Sequence, residues 1–246
     1  MLLIFMYHQI INSRVELEVS VNKFQQHLKY LQQNFNIVVP GQTLFKNKIS
    51  VCLTFDDAYA DFYIHIFPIL KTLNIPVVLA IPAGLIQDTT AVDNTVRESV
   101  VYHYGLDPKE AHKSPLCTWE EIKKMTATGL VYPASHSLTH ANLTKINSSE
   151  VFKEICASKR TIWVKLEEIT EIMVYPFGAQ NRYVYAMAKN HYKYLMRIGN
   201  ASNSSWNQGV LYRIDGDKLW KNNQPISKLK IFLWKINYFL NKLRCN

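Results

Sequence analysis

Residues 49–57 read ISVCLTFDD, an apolar run through Phe55 that is followed at once by two aspartates. A short continuous apolar run of this kind is typical of a strand buried on both faces, as in a parallel sheet. Adjacent side chains at the end of a strand point in different directions, so Asp56 and Asp57 can have different tasks. A lone pair of aspartates is also typical of the start of a helix, and this pair by itself leaves both interpretations open.

Other apolar runs along the chain end in the same way. They are Leu2–Met6 before Tyr7-His8, Leu130–Ser135 before His136, and Glu171–Tyr175 before Pro176-Phe177. Further strand-like runs alternate with helical patterns, which predicts βα units and a parallel sheet with polar chemistry at the carboxyl ends of its strands. A chain of 246 residues has the length of one α/β barrel. We therefore predict an α/β fold, a distorted (β/α) barrel.

The composition narrows the class of protein. Hydrophobic residues make up 48% of the chain and charged residues 19%, which excludes an intrinsically disordered protein. The four cysteines contain no CxxC pair, so we expect reduced thiols rather than a disulfide scaffold or a cysteine-based zinc site. The net charge is +9, but residues 218–246 hold seven Lys or Arg and no acidic residue, so only +2 remains for the rest. This distribution argues against a nucleic-acid-binding protein.

Two histidines follow the strand predicted at residues 130–135. His136 and His140 are four residues apart, and on one helical turn such a pair faces the same way and can reach one ion. An HxxxH pair alone is more often two surface or hydrogen-bonded histidines that bind no metal. Combined with a carboxylate from the Asp56-Asp57 pair, it forms a facial ligand set that leaves positions open for water and substrate.

These motifs resemble those of a known family. Thr54-Phe55-Asp56-Asp57, His136-Ser137-x-x-His140 and Tyr175-Pro176-Phe177-Gly178 occur in the order and spacing of the NodB-type polysaccharide deacetylases, carbohydrate esterase family four. The opening Met6-Tyr7-His8-Gln9-Ile10 resembles the subgroup that includes the poly-N-acetylglucosamine deacetylases. The resemblance extends over residues 1–215 and implies a barrel of the polysaccharide deacetylase type.

The resemblance also implies a role for each site residue. Asp57, His136 and His140 are expected to bind one divalent metal, with zinc the expected ion, and Asp56 to be the general base. His8 is expected to be the acid that protonates the leaving amine. The backbone N–H of Phe177 is expected in the oxyanion site, with Tyr7 as a further substrate contact.

Two positions depart from the family pattern. Ala58 stands where the family has glycine after the two aspartates, and Met173 stands where it has an arginine that orients the catalytic aspartate. Arg182, Arg197 and Arg213 are the candidates to replace that arginine. The run 211–214, LYRI, resembles a late strand of some family members, which favours Arg213.

The segment after residue 217 forms a separate unit in this interpretation, with residues 1–217 as the deacetylase domain and 218–246 as a basic amphipathic helix. On a helix, the apolar residues from Leu229 to Leu243 fall on one stripe that is flanked by Lys and Arg. Two interpretations remain open for this stripe, because it can pack on the barrel or lie on an anionic membrane. The apolar stretch Met1–Met6 is too short for a signal peptide, so we expect a cytoplasmic location, with peripheral contact to the inner face of the membrane.

The expected function is metal-dependent removal of an acetyl group from an N-acetylated amino sugar. The basic segment favours a lipid-linked or cell-envelope precursor as the substrate. The alternatives are a polymer, namely poly-N-acetylglucosamine, chitin-like oligomers or peptidoglycan, and a non-catalytic carbohydrate-binding relative.

Overall fold

The computed structural model describes residues 1–10, 17–100, 107–221 and 225–244. The strands are β1 (Leu2–Tyr7), β2 (Asn36–Ile37), β3 (Ser50–Phe55), β4 (Val77–Ile81), β5 (Val131–Ser135), β6 (Ile172–Val174), β7 (Tyr194–Ile198) and β8 (Val210–Asp215). Strand β1 pairs in parallel with both β3 and β8, and each of β3 to β7 pairs in parallel with the next strand. Seven strands therefore close into a parallel barrel, which confirms the predicted fold. The short β2 extends the sheet beside the start of β3 and was not predicted.

Helices cover the outside of this barrel. They are α1 (Leu17–Asn34), α2 (Phe67–Leu73), α3 (Asn94–Arg97), α4 (Trp119–Thr126), α5 (Ser148–Leu166), α6 (Arg182–Lys189), α7 (Asp217–Lys221) and α8 (Lys228–Arg244). The capping box predicted at the start of α4 is present, because Thr118 and Glu121 bond each other's backbone N–H groups. None of the described helices combines the length and apolar character needed to cross a membrane.

The alternation of side chains along β1 and β3 divides the core into two layers. Leu2, Ile4 and Cys52 belong to the cluster inside the barrel. Leu3, Phe5, Tyr7, Leu53 and Phe55 belong to the larger cluster between the barrel and the helices. Continuing the inner register of β3 beyond Cys52 brings Thr54 and then Asp56 to the end of the barrel interior. The strand pattern thus positions the first aspartate.

Helix α8 packs against the barrel with one face. Trp234 is buried, joins the core between barrel and helices, and contacts the ring of Phe5 edge-on at 6.0 Å between centroids. The side-chain amides of Asn237 and Asn241 donate hydrogen bonds to the carbonyl groups of Asn200 and Gly199. The division of the chain at residue 217 stays a prediction.

Candidate active site

The candidate site lies where the carboxyl ends of the strands meet, as expected for a parallel barrel. A cavity of about 640 Å³ is present at this end. The predicted site residues that line it are His8, Asp56, His136, His140 and Phe177, and Arg213 lines it as well.

Asp57, His136 and His140 come together as the sequence predicted. Their ligand atoms lie within 4.8 Å of one another. Oδ1 of Asp57 is 3.3 Å from Nε2 of His140 and 3.6 Å from Nε2 of His136. One carboxylate and two imidazoles facing one point form a donor set that suits a divalent ion such as zinc.

The surroundings of these three residues fit such an ion. Nδ1 of His136 lies 2.8 Å from the carbonyl oxygen of Val174, which can only accept, so Nδ1 carries the proton and Nε2 keeps its lone pair for a metal. Oδ2 of Asp57 is buried and has no hydrogen-bond partner among the described residues. Burial lowers the pKa of His136 to about 3, which keeps the imidazole neutral. Burial and then the charge of Asp56 raise the pKa of Asp57 to about 7.

The turn after β3 has a left-handed backbone at two consecutive residues. Asp57 has φ 68° and Ala58 has φ 54°, a region that costs a residue with a Cβ about 1–2 kcal/mol. Ala58 therefore adopts the turn for which the family pattern has glycine. A hydrogen bond from the N–H of Cys117 to the carbonyl of Ala58, at 2.7 Å, holds this turn from the far side. Backbone strain of this kind clusters at sites that must aim a side chain.

Asp56 is held by Arg213. Nη1 and Nη2 of Arg213 donate to the two oxygens of Asp56 at 2.6 and 2.8 Å, and Nη1 also reaches Oγ1 of Thr54. Burial alone would raise the pKa of Asp56, but the guanidinium charge outweighs it and holds the pKa well below its usual range. The structure thus selects Arg213 to replace the arginine missing at Met173, whereas Arg182 and Arg197 line a different cavity.

His8 is held by Asp217, a residue outside the recognised motifs. Nδ1 of His8 lies 2.8 Å from Oδ2 of Asp217, and Nε2 lies 3.8 Å from Oδ2 of Asp56. Burial lowers the pKa of His8, but the Asp217 contact and the charge of Asp56 raise it above the ordinary value. The residue that could have indicated this contact from the sequence is Gly216, directly before Asp217. A Cβ there would lie 2.6 Å from Cε1 of Tyr7, so only glycine lets the start of α7 approach β1 this closely.

Phe177 lies at the cavity, whereas the side chain of Tyr7 lies outside the barrel. Phe177 lines the cavity in a left-handed conformation with φ 59°, and its ring packs edge-on against His140 at 4.8 Å between centroids. Tyr7 is fully buried on the outward face of β1, and its hydroxyl group lies 2.7 Å from Nε2 of His27. The expected contact between Tyr7 and substrate is therefore wrong, because the alternation along β1 turns this side chain away from the cavity.

Comparisons with known proteins identify the family. The family model described as polysaccharide deacetylase matches residues 45–195. The chain is 27% identical over 186 residues to the Bacillus subtilis (strain 168) protein named "Putative polysaccharide deacetylase YxkH", covering 72% of this chain and 57% of that protein. It is 35% identical over 88 residues to the poly-β-1,6-N-acetyl-D-glucosamine N-deacetylase of Escherichia coli (strain K12), covering 36% of this chain and 12% of that protein.

The solved structures show the same fold. IcaB from Ammonifex degensii superposes with a TM-score of 0.69 at 20% identity, over 90% of this chain and 94% of that one. The motif residues meet in one site, and the family model covers more than half of the chain. The protein therefore belongs to the polysaccharide deacetylase family.

Proposed function

We propose that the protein is a metal-dependent N-deacetylase that removes the acetyl group from an N-acetylated amino sugar. One observation carries this proposal. The Asp57–His136–His140 cluster adjoins a single cavity that is also lined by Asp56, paired with Arg213, and His8, paired with Asp217. The family match and the relative named for its deacetylase activity support it.

Asp57, His136 and His140 would hold the divalent ion, with zinc as the expected metal. A bound ion of this kind supplies Lewis acidity to a carbonyl group and to water. The three side chains suit this task because the carboxylate and both imidazoles are at least nine-tenths buried, in surroundings of low dielectric constant.

Asp56 is assigned as the general base. Its ion pair with Arg213 keeps the carboxylate ionised at neutral pH and fixes its orientation. In the reaction, the oxygen of a water molecule attacks the carbonyl carbon of the acetamide, and Asp56 accepts the proton that the water loses.

His8 is assigned as the acid. Its Nδ1 faces Asp217 and its Nε2 faces Asp56 across the cavity, so Nε2 is the atom that can deliver a proton to substrate. When the bond between carbonyl carbon and nitrogen breaks, this proton goes to the leaving amine, and acetate and a free amino sugar result. The backbone N–H of Phe177 is assigned to the developing oxyanion, on the support of its left-handed conformation at the cavity edge.

The substrate is proposed to be a lipid-linked or cell-envelope precursor amino sugar. A cavity of about 640 Å³ lies in the size range of ordinary small-molecule sites, which supports a substrate that presents a single amino sugar. The alternative is a polymer, which the name of the Escherichia coli relative supports. The arginine missing at Met173 would favour a non-catalytic relative, but the pairing of Arg213 with Asp56 supports an active enzyme instead.

The location is proposed to be the cytoplasm, with peripheral binding at the inner face of the membrane. The support is the charge of residues 218–246, where seven basic residues and no acidic one match the anionic lipids of the cytoplasmic leaflet.

Acetate release tests the catalytic proposal. The zinc-loaded full chain is incubated with a polyprenyl-diphosphate-linked N-acetylamino sugar, a β-1,6-linked N-acetylglucosamine oligomer or a chitin oligomer, and acetate is quantified. Asp56→Asn should lose at least the ~10²–10⁴ of general base catalysis. Asp215→Asn, which removes another carboxylate of the same cavity, is the matched control and should stay active. Sugar binding by the wild type without acetate release would overturn the proposal.

A further inference from the structure

Helix α8 has an apolar face that the barrel leaves uncovered. Seven large hydrophobic side chains of this helix are 38–74% exposed: Leu229, Phe232, Leu233, Ile236, Phe239, Leu240 and Leu243. Their spacing places them on one continuous side of the helix. A contiguous exposed apolar patch of this kind is typical of a surface that binds another protein or a membrane.

The helix is nevertheless firmly placed, by its opposite side. Trp234 packs in the core, Tyr238 meets the ring of Tyr212 edge-on, and Asn241 donates to the carbonyl of Gly199. Gly199 makes this contact possible, since a Cβ there would lie 2.5 Å from Tyr212 and 3.0 Å from Nδ2 of Asn241. The interpretation in which the apolar stripe packs on the barrel is therefore wrong, and the stripe faces outward.

Positive charge follows one edge of the apolar face. Lys228, Lys235 and Lys242 are seven residues apart, close to two helical turns, so they form a row along one edge. A cavity of about 660 Å³ next to Lys242 adds Arg182 and Arg197, and no carboxylate lines it. An apolar face bordered by a row of lysines complements a membrane that has apolar chains beneath anionic headgroups.

We propose that the outward face of α8 is a binding surface for an anionic membrane, with its apolar side chains inserted at the level of the headgroups and its lysines on lipid phosphates. Helix α8 lies next to the catalytic cavity. Asn237 of α8 donates to the carbonyl of Asn200, and Asn200 lines that cavity. If the proposed function also holds, the membrane-bound enzyme has its cavity near the membrane surface, where the sugar of a lipid-linked substrate is located.

Vesicle co-sedimentation of the full chain tests this surface without any measurement of catalysis. The wild type should sediment with vesicles of phosphatidylglycerol and phosphatidylcholine, and much less with phosphatidylcholine alone. Binding should weaken at physiological salt, where the Debye length is ~8 Å. Phe232→Ser/Phe239→Ser should reduce partition ~10-fold or more, because each phenyl group removed carries a large transfer free energy.

Matched controls distinguish binding by this surface from non-specific binding by exposed side chains elsewhere. Phe45→Ser/Trp163→Ser removes two side chains that are 57% and 53% exposed elsewhere, and it should bind like the wild type. Lys235→Glu/Lys242→Glu should lose binding, whereas Lys46→Glu/Lys48→Glu makes the same charge change away from α8 and should retain it. Unchanged circular dichroism shows that each variant folds.

Two results would overturn the proposal. One is a wild type that stays in the supernatant with anionic vesicles at low salt. The other is a dimer in sedimentation velocity that Phe232→Ser/Phe239→Ser dissociates, which would assign the face to a second copy of the chain. Since acetate release from a soluble oligomer does not require α8 to bind lipid, failure here leaves the catalytic proposal standing.

Discussion

Arg213 binds both oxygens of Asp56, and both side chains are almost completely excluded from solvent. Removing one partner of a buried ion pair leaves a charge uncompensated and typically costs about 3–5 kcal/mol. Arg213→Gln should therefore lower the free energy of unfolding by an amount of that order, and raise the pKa of Asp56. Urea denaturation measures the first effect. Arg182→Gln, at an exposed position, is the control, and an equal loss in both variants would contradict the role of the ion pair.

Asp217 raises the pKa of His8 against the lowering effect of burial. An acid catalyst works only while protonated, so the loss of the His8 proton sets the alkaline limb of the pH–rate profile. Asp217→Asn removes the charge that favours protonated His8, and the alkaline limb of kcat/KM should move to lower pH. Asp215→Asn, which leaves the contact between His8 and Asp217 intact, should not move it. If the alkaline limb does not move in Asp217→Asn, His8 is not the acid whose titration sets this limb.

At the scale of elements, Gly216 sets how closely α7 approaches β1. A Cβ at this position would lie 2.8 Å from the carbonyl oxygen of Met6 and closer still to the ring of Tyr7. Gly216→Ala should push the start of α7 outward, break the contact between Asp217 and His8, and reduce acetate release. Gly129→Ala is the control, because its left-handed φ of 72° strains the backbone while a Cβ there meets nothing within 4 Å. It should destabilise the fold by about 1–2 kcal/mol and leave the rate per folded molecule unchanged.

The two sides of α8 should respond differently to truncation. Trp234→Ala removes a buried ring from the core and should cost about 3–5 kcal/mol of unfolding free energy. Phe239→Ala removes an outward ring and should change stability by less than about 0.5 kcal/mol. Guanidinium denaturation compares them. A large loss in Phe239→Ala together with a small one in Trp234→Ala would reverse the orientation of the helix.

The elements also show what the sequence can predict. Continuous apolar runs predicted β1, β3, β5 and β6 at their places in the chain, because strands buried on both faces are apolar throughout. The amphipathic stripe of α8 predicted a helix but not its orientation. An apolar stripe usually faces the core, whereas here Trp234, Asn237 and Asn241 supply the contacts with the barrel. Only the tertiary packing shows which side is covered.

The whole molecule brings together residues that no local pattern connects. Asp57, His136 and His140 were predicted together because the Asp-Asp and HxxxH motifs resemble those of the family. Arg213 reaches Asp56 only because β8 returns to pair with β1, which in turn pairs with β3. The sequence favoured Arg213 as the replacement arginine but could not assign it, because its contact with Asp56 depends on closure of the barrel. The same closure brings Asp217 to His8 from more than 200 residues away.

Zinc titration of metal-free enzyme, with acetate release as the readout, tests the central claim most directly. The full chain is stripped with a chelator, dialysed, and titrated with Zn²⁺ in the presence of an N-acetylglucosamine oligomer. Since Asp57, His136 and His140 form one ligand cluster, the rate should rise in proportion to added zinc and level off at about one ion per chain. His136→Ala/His140→Ala should show no such rise. Full acetate release by the stripped enzyme, or an undiminished rise in that double variant, would contradict a metal-dependent deacetylase at this site.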